Sequence, residues 1–160
     1  ERAANLIYMI FRPLCHQLPE RSFFLFGERW AYSLDQLAHT LGGDVPMRYI
    51  GNAELGFKIA ICERDVAIYG AALLSGLLFG ALRRWLKPLS LKAFGLLIVP
   101  MAIDGLGQLF GLWASTWQSR LLTGGLFGLA CVWLAFPYLE QGMSDIRRET
   151  SAAIASWKQP

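Results

Sequence analysis

Three long apolar runs dominate the pattern of hydrophobic and polar positions in this chain. Val66 to Leu82 holds 17 residues without a charge, and Leu121 to Leu139 holds 19. Between them, Ala93 to Trp113 is 21 residues long and contains a single acid, Asp104. A helix needs about 20 predominantly apolar residues to cross a bilayer. The pattern therefore predicts three transmembrane helices, since a soluble domain of this size has little room to bury them.

The composition agrees with a membrane protein. Hydrophobic residues make up 54% of the 160-residue chain and charged residues 17%, whereas a soluble domain is usually about 45–50% apolar and about 25% charged. The net charge of +3 is mild, and the basic residues form no stripe with aromatic residues, so nucleic-acid binding is not expected. The predicted fold is all-α: a polytopic bundle of transmembrane helices in the lipid bilayer, with an extracytoplasmic cap.

Positive charge predicts which ends of the helices face the cytoplasm. The linker after the first run holds four basic residues and no acid: Arg83, Arg84, Lys87 and Lys92. The C-terminal tail adds Arg147, Arg148 and Lys158, while the opposite linker has only Arg120. Lys and Arg near the ends of spans mark the cytoplasmic side. For a chain in the cell inner membrane, this places residues 15–65 outside and residues 83–92 and 140–160 inside.

The predicted organisation has three parts. Residues 1–65 hold the end of an N-terminal helix and the extracytoplasmic cap, residues 66–139 form the three-helix bundle, and residues 140–160 form a cytoplasmic tail. Asn5 to Phe11 is apolar but too short to span a bilayer, so we expect it to end a helix that begins upstream of residue 1. Within the cap, "WAYSLDQLAHTL" (30–41) predicts a short amphipathic helix.

Small residues predict how the helices pack. Each apolar run contains two glycines four residues apart: Gly76 and Gly80, Gly107 and Gly111, and Gly124 and Gly128. In lipid, helices associate where small residues let their backbones approach. These pairs predict a compact bundle, formed within this chain or with a partner subunit.

The second run carries the polar residues that are most costly in a bilayer. At 100° per residue, Asp104 shares a stripe with Gly107, Gln108 and Ser115. A carboxylate near the bilayer centre costs about 2.5–3.5 kcal/mol, so Asp104 should face the bundle and have a partner. It is either a functional residue or a structural acid that pairs with Arg64 or Arg120.

Polar residues of separate segments are expected to converge on the outer half of the bundle. "RPLCHQLPERSFFLFG" (12–27) contains Cys15 and His16, and "CERDVAIYG" (62–70) places Cys62, Asp65 and Tyr69 on one helical face. Their thiolate, imidazole and carboxylate groups suit zinc or another divalent metal. The spacing matches no known zinc signature. A Cys15–Cys62 disulfide in an oxidising compartment and a merely structural pair of buried thiols therefore stay open.

Other residues give little support to further chemistry. Cys131 lies in the middle of the third run and is expected to pack, and His39 is expected to be solvated. The sequence has no nucleophile elbow, P-loop, HExxH motif or dinucleotide-binding loop. Whether the protein is an enzyme is left open by these residues.

Four blocks of sequence, in order, carry a family resemblance. They are "CHQLPERSFFLFG" (15–27), "CERDVAIYG" (62–70), "DGLGQ" (104–108) and "SRLLTGGLFG" (119–128). They resemble an uncharacterised bacterial and archaeal family of polytopic membrane proteins, a domain of unknown function. Many relatives carry a second cysteine where this chain has Asp65. The resemblance implies that the Cys/His/Asp cluster is the working part of the family, and it implies no particular reaction.

These observations support one leading hypothesis and two rivals. The leading hypothesis is an accessory subunit of a larger membrane complex, with a metal-binding or redox-sensitive site at its outer face. The first rival is a membrane-embedded, metal-dependent enzyme that acts on a lipid or quinone-like substrate. Its candidate catalytic residues are Asp104, Asp65, Arg64 and Arg120, and its candidate cofactor-binding residues are Gln108 and Tyr69. The second rival is a small transporter in which Asp104 carries a proton.

Overall fold

A computed structural model of the chain describes residues 2–13, 15–83 and 85–157. Arg84 and Lys158, two of the basic residues that predict the orientation, lie outside the described residues. The described part is mostly helical. Its helices are α1 (Arg2–Phe11), α2 (Leu34–Leu41), α3 (Glu63–Leu82), α4 (Leu91–Leu109) and α5 (Trp117–Trp157). A short 3-10 helix spans Pro19–Arg21, and the strands are β1 (Phe24–Leu25), β2 (Gly51–Asn52) and β3 (Gly56–Lys58).

Helices α3, α4 and α5 are long and apolar enough to cross a membrane. They coincide with the three apolar runs, so the prediction of an all-α polytopic bundle is confirmed. The helix ends differ from the predicted ones. Helices α3 and α5 begin earlier than their apolar runs, because Glu63 and Arg120 sit in their first turns as partners of each other. Helix α5 also continues without a break through the predicted boundary at residue 139.

Helix α4 ends before the predicted end of its span. Gly111 has a φ of 69°, a left-handed conformation that favours glycine and turns the chain out of the helix. The ring of Trp113 then folds back against Gly107. Gly107 and Gly111 therefore do not form a helical face for another helix, so the prediction that these two glycines pack against one is wrong.

Helices α3 and α5 form the central pair of the bundle, and α4 packs against α5. Gly124 and Gly128 face α3 so closely that added methyl groups would meet its backbone at Arg64 and Ile68. This is the close backbone approach that the glycine spacing predicts. In contrast, Gly80 on α3 faces open space within the described structure.

The cap (residues 15–62) has its own small core. Phe24, Tyr32, Leu37 and Leu55 are buried together, and strand β3 lies between β1 and β2, antiparallel to both. The predicted amphipathic helix is α2, which begins with a capping box formed by Ser33 and Gln36. The sheet was not predicted, because strands of two or three residues are too short to show an alternating pattern.

Replacing Gly128 with alanine should destabilise the bundle. The added methyl group would lie well inside van der Waals contact with the carbonyl oxygen of Ile68, and backbone atoms cannot rotate away as a side chain can. We expect the free energy of unfolding to fall by about 1–3 kcal/mol.

Gly125→Ala is the matched control, because no atom of the described residues lies within 4 Å of a methyl group added there and alanine favours a helix over glycine. Thermal unfolding of both variants in one detergent measures the difference. Equal melting temperatures would show that α3 and α5 do not pack through Gly128.

Candidate functional site

Two cysteines meet where the cap joins the bundle. Cys62 directly precedes α3, and Cys15 approaches it from the loop after α1. Their sulfur atoms and a carboxylate oxygen of Asp65 lie within 4.8 Å of one another. Cys62 Sγ lies 3.1 Å from Asp65 Oδ2, so the single thiol proton of Cys62 has two acceptors within reach, this carboxylate and Cys15 Sγ. Both cysteines, like Cys131, are free thiols. The structure thus brings together three of the four residues that the sequence offered as metal ligands.

The fourth, His16, lies outside this group. Its side chain is exposed although it follows the buried Cys15, and the chain turns immediately afterwards at Gln17, whose φ is 54°. Tyr69, a candidate cofactor-binding residue, is also outside the group, with 54% of its surface exposed on α3. Tyr69 shares a helical face with Asp65, but its ring does not point into the bundle, because α5 packs against a different face of α3.

Gln17 holds the loop that carries Cys15. Its side-chain amide donates to the carbonyl oxygens of Tyr8 at 2.8 Å and Ala60 at 2.9 Å, and its backbone N–H donates to Cys15 Sγ at 3.4 Å. The buried ammonium of Lys58 donates to the Gln17 carbonyl oxygen at 2.5 Å. This contact set ties α1, β3 and the thiols together, and it explains why the glutamine follows the Cys-His pair.

Lys58 helps to hold the loop that carries Cys15, and this role was not predicted from the sequence. Its ammonium lies 5.5 Å from the centroid of the Tyr8 ring, and the Tyr8 hydroxyl donates to the Lys58 carbonyl oxygen. Burial lowers the pKa of Lys58. No sequence signal marks this lysine, because a single basic residue in a short mixed segment looks like ordinary surface.

The two thiols differ in acidity. The hydrogen bond from Cys62 lowers the pKa of Cys15 from 9.0 to about 7, the Gln17 backbone N–H adds to this, and burial and the Asp65 carboxylate oppose it. The pKa of Cys62 is raised, first by its hydrogen bond to Cys15 and then by burial. Cys15 is therefore the more acidic thiol of the pair, and Cys62 keeps its proton to higher pH.

Asp104 lies buried in the bundle at the centre of a hydrogen-bond network. It pairs with Arg64 of α3 and accepts hydrogen bonds from Ser115 at 3.0 Å, Gln108 at 3.1 Å and Ser119 at 3.2 Å. The partner is thus Arg64 and not Arg120. Removing one partner of a buried ion pair typically costs about 3–5 kcal/mol, so the network suits a helix-locking role better than a proton-carrying one.

A second buried ion pair lies beside the first. Arg120 of α5 donates to Glu63 Oε2 at 2.9 Å, and the two residues are 8% and 1% exposed. Arg120 also donates to the carbonyl oxygens of Ser115 at 2.7 Å and Glu20 at 3.2 Å. Ser115 therefore joins the two pairs, and Glu20 joins them to the cap. Glu63 was missed because nothing in the sequence distinguishes it from neighbouring acids.

A groove of about 1180 Å³ opens between the cap and the bundle. Aromatic and aliphatic side chains of the cap and of α5 form much of its wall, and the Glu63–Arg120 pair lines its buried part. Cys15, Cys62 and Asp65 do not line it. The thiol cluster and the groove are thus separate features that adjoin through the consecutive residues Cys62 and Glu63.

Alkylation of Cys15 should titrate near pH 7 in metal-free buffer. The thiolate is the reacting form, so the lowered pKa of about 7 makes the rate rise at a lower pH than for an ordinary cysteine. Cys62→Ala removes the donor that stabilises the thiolate and should shift the titration upward, whereas Cys62→Ser keeps a donor and should shift it less. Mass spectrometry after timed exposure to iodoacetamide over a pH series measures the midpoints. An ordinary cysteine midpoint in the wild-type protein would contradict this assignment.

Comparison with known proteins places the chain in a family. A family model described as "Predicted membrane protein (DUF2085)" matches residues 54–134, a stretch that includes Cys62, Asp65, Asp104 and Arg120. The chain is also similar to "Uncharacterized protein MJ1492" of Methanocaldococcus jannaschii, with 28% identity over 134 residues, which are 82% of this chain and 67% of that protein. No solved structure matches the chain significantly. Since the family model covers just over half of its length, the chain belongs to the DUF2085 family of predicted membrane proteins.

Proposed function

We propose that Cys15, Cys62 and Asp65 bind a thiophilic divalent metal ion such as zinc at the junction of cap and bundle. The observation that carries this proposal is the convergence of their three donor atoms within 4.8 Å. Sulfur ligands about 2.3 Å from a tetrahedral zinc ion lie about 3.8 Å apart, which is compatible with that spacing. Three protein donors leave a fourth position for water or a further ligand.

The same thiols support the redox-sensitive form of the hypothesis. A Cys15–Cys62 disulfide would consume both thiolate ligands, so disulfide formation and metal binding exclude each other. The lowered pKa of Cys15 favours either chemistry, because the thiolate is both the metal ligand and the nucleophile in disulfide exchange. Metal binding is the better supported of the two, since Asp65 joins the cysteines as a third donor.

Purified, reduced protein should bind one cobalt(II) ion, displaceable by zinc, with thiolate-to-cobalt charge-transfer absorption. Cys15→Ser and Cys62→Ser should abolish this absorption, because each removes a thiolate, and Asp65→Asn should weaken binding. Cys131→Ser is the control, since Cys131 lies within α5 and outside the cluster. His16→Ala tests whether the exposed imidazole turns inward as the fourth ligand.

Absence of thiolate-to-cobalt absorption in the reduced wild-type protein would overturn the metal proposal. Persistence of the absorption in the Cys15→Ser/Cys62→Ser double variant would do the same, because no other pair of cysteines could supply it.

We further propose that the chain is an accessory subunit of a larger membrane complex. Among the residues that the structure describes, none lies within 4 Å of a methyl group added at Gly70 or Gly80 of α3, which leaves a surface that another helix can approach closely. The rival, a metal-dependent enzyme acting on a lipid or quinone-like substrate, is supported by the groove of about 1180 Å³. We favour the subunit, because none of the three proposed ligands lines that groove.

The size of the native assembly distinguishes these two roles. Protein extracted from its own membranes in a mild detergent should migrate with partner subunits, at a mass well above that of the chain in the same detergent. The measurement is native electrophoresis followed by identification of the co-migrating proteins. A chain that migrates alone would contradict the subunit role and favour the enzyme.

We propose that the cap is extracytoplasmic and that the protein lies in the inner membrane. Arg83, Lys87 and Lys92 lie at the opposite ends of α3 and α4 from the cap, as expected for the cytoplasmic side. Trp133, which donates to the Lys87 carbonyl oxygen at 3.1 Å, suits the interface on that side. Repeating the Cys15 titration on intact cells with a charged, impermeant alkylating reagent tests the orientation. Reaction of Cys15 only after cell lysis would show that the cap lies on the cytoplasmic side.

A further inference from the structure

Strand β3 carries a buried cation that forms no ion pair with any described acid. Lys58 is 5% exposed, yet the three ion pairs of the described residues do not include it. Its ammonium donates to the carbonyl oxygen of Gln17 and lies over the ring of Tyr8, and both of these groups are neutral. A lysine is almost never fully buried unless it is paired, because an isolated buried charge is costly. The position of Lys58 therefore indicates an anion nearby.

The thiol cluster, formed by Cys15, Cys62 and Asp65, lies beside this lysine. Gln17 links the two, because its carbonyl oxygen accepts from the Lys58 ammonium and its backbone N–H donates to Cys15 Sγ. Burial lowers the pKa of Lys58, while the negative charge of Cys15 raises it, followed by that of Glu20. The sulfur of Cys15 therefore lies within electrostatic range of the buried ammonium.

A metal ion bound to the thiol cluster needs a further positive charge close by. Two thiolates and one carboxylate bring three negative charges to a divalent ion, so one negative charge is left over in a partly buried place. The arginines in the first turns of α3 and α5 are already matched by acids of the bundle. Lys58 is a buried cation beside the cluster whose charge no acid of the described chain matches by an ion pair.

We infer that Lys58 is the counter-charge of the metal site in the thiol cluster. Its ammonium neutralises the excess negative charge of the occupied cluster and so raises the affinity for a divalent ion. This inference rests on the proposed metal site. Lys58 is not a ligand, because an ammonium has no lone pair to give, and Gln17 keeps it apart from the sulfur. The side chain of Gln17 is anchored to two backbone carbonyl oxygens, which holds this separation.

Titration of reduced, metal-free protein with cobalt(II) at a single pH measures the effect of this charge. Lys58→Met keeps the length of the side chain and removes its charge, so the dissociation constant should rise about 10–100-fold, as is typical when an outer-shell partner is lost. Lys58→Arg keeps the charge and should bind more tightly than Lys58→Met. Lys92→Met is the matched control, because Lys92 is exposed at the start of α4. The thiolate-to-cobalt band should keep its position throughout, since no ligand changes.

A second comparison separates the charge of Lys58 from its hold on the cysteine loop. Asp65→Asn removes one negative charge from the ligands, so the occupied cluster is neutral without Lys58. Adding Lys58→Met to Asp65→Asn should therefore cost much less affinity than Lys58→Met costs alone, which is the coupling that a double-mutant cycle measures.

Equal affinities of Lys58→Met and the wild-type protein would overturn this role of Lys58 and leave the metal site standing. An equal loss with and without Asp65→Asn would show that the lysine acts only by holding the loop, and would overturn the counter-charge. Equal weakening by Lys58→Arg and Lys58→Met would do the same. Absence of thiolate-to-cobalt absorption in the wild-type protein would overturn the metal proposal and this inference together. If Lys58→Met does not fold, Lys58→Gln takes its place in both comparisons.

Discussion

Two buried ion pairs, Arg64–Asp104 and Glu63–Arg120, form the layer on which the rest of the structure depends. In lipid, helices gain no hydrophobic free energy by associating, and a charge within a span must have a partner. Helix α3 supplies two members of the layer, and α4 and α5 supply one each. Ser115 connects the pairs, because its hydroxyl donates to Asp104 and its carbonyl oxygen accepts a hydrogen bond from Arg120. The three spans can therefore rotate or slide only by exposing a charge.

The position of the thiol cluster, Cys15, Cys62 and Asp65, follows from this layer of ion pairs. Cys62 and Asp65 directly flank Glu63 and Arg64, so the ion pairs that hold α3 also hold two of the three thiol-cluster donors. Cys15 is brought to them by Gln17, which bonds to α1 and to the chain before α3. The cluster thus stands on the rigid end of a helix, while the groove lies on the other side of Glu63. A short polar segment thus joins the ion pairs between the helices to the cluster of Cys15, Cys62 and Asp65.

Much of the fold follows from patterns that are local in sequence. Three long apolar runs are expected to cross a bilayer as helices, because every backbone polar group must then find a partner within its own segment. The stripe around Asp104 correctly placed Gln108 beside it, since residues four positions apart share a helical face. Ser115 also contacts Asp104, but it does so from the loop after α4, because the helix ends at Leu109. The spacing of Gly124 and Gly128 likewise indicated the close approach that α3 makes.

The sequence by itself determined the spans, the inward direction of Asp104 and the short helix of the cap, because each depends on periodicity or on the cost of charge in lipid. Only the tertiary structure decided that Arg64 and not Arg120 pairs with Asp104, that Glu63 is buried and that His16 turns away from Cys15. Periodicity defines the face on which a residue lies, but a pairing also depends on how neighbouring helices rotate and where the loops between them turn. Arg64 and Arg120 were equally plausible partners until the packing of α3 against α5 assigned each arginine to a different acid.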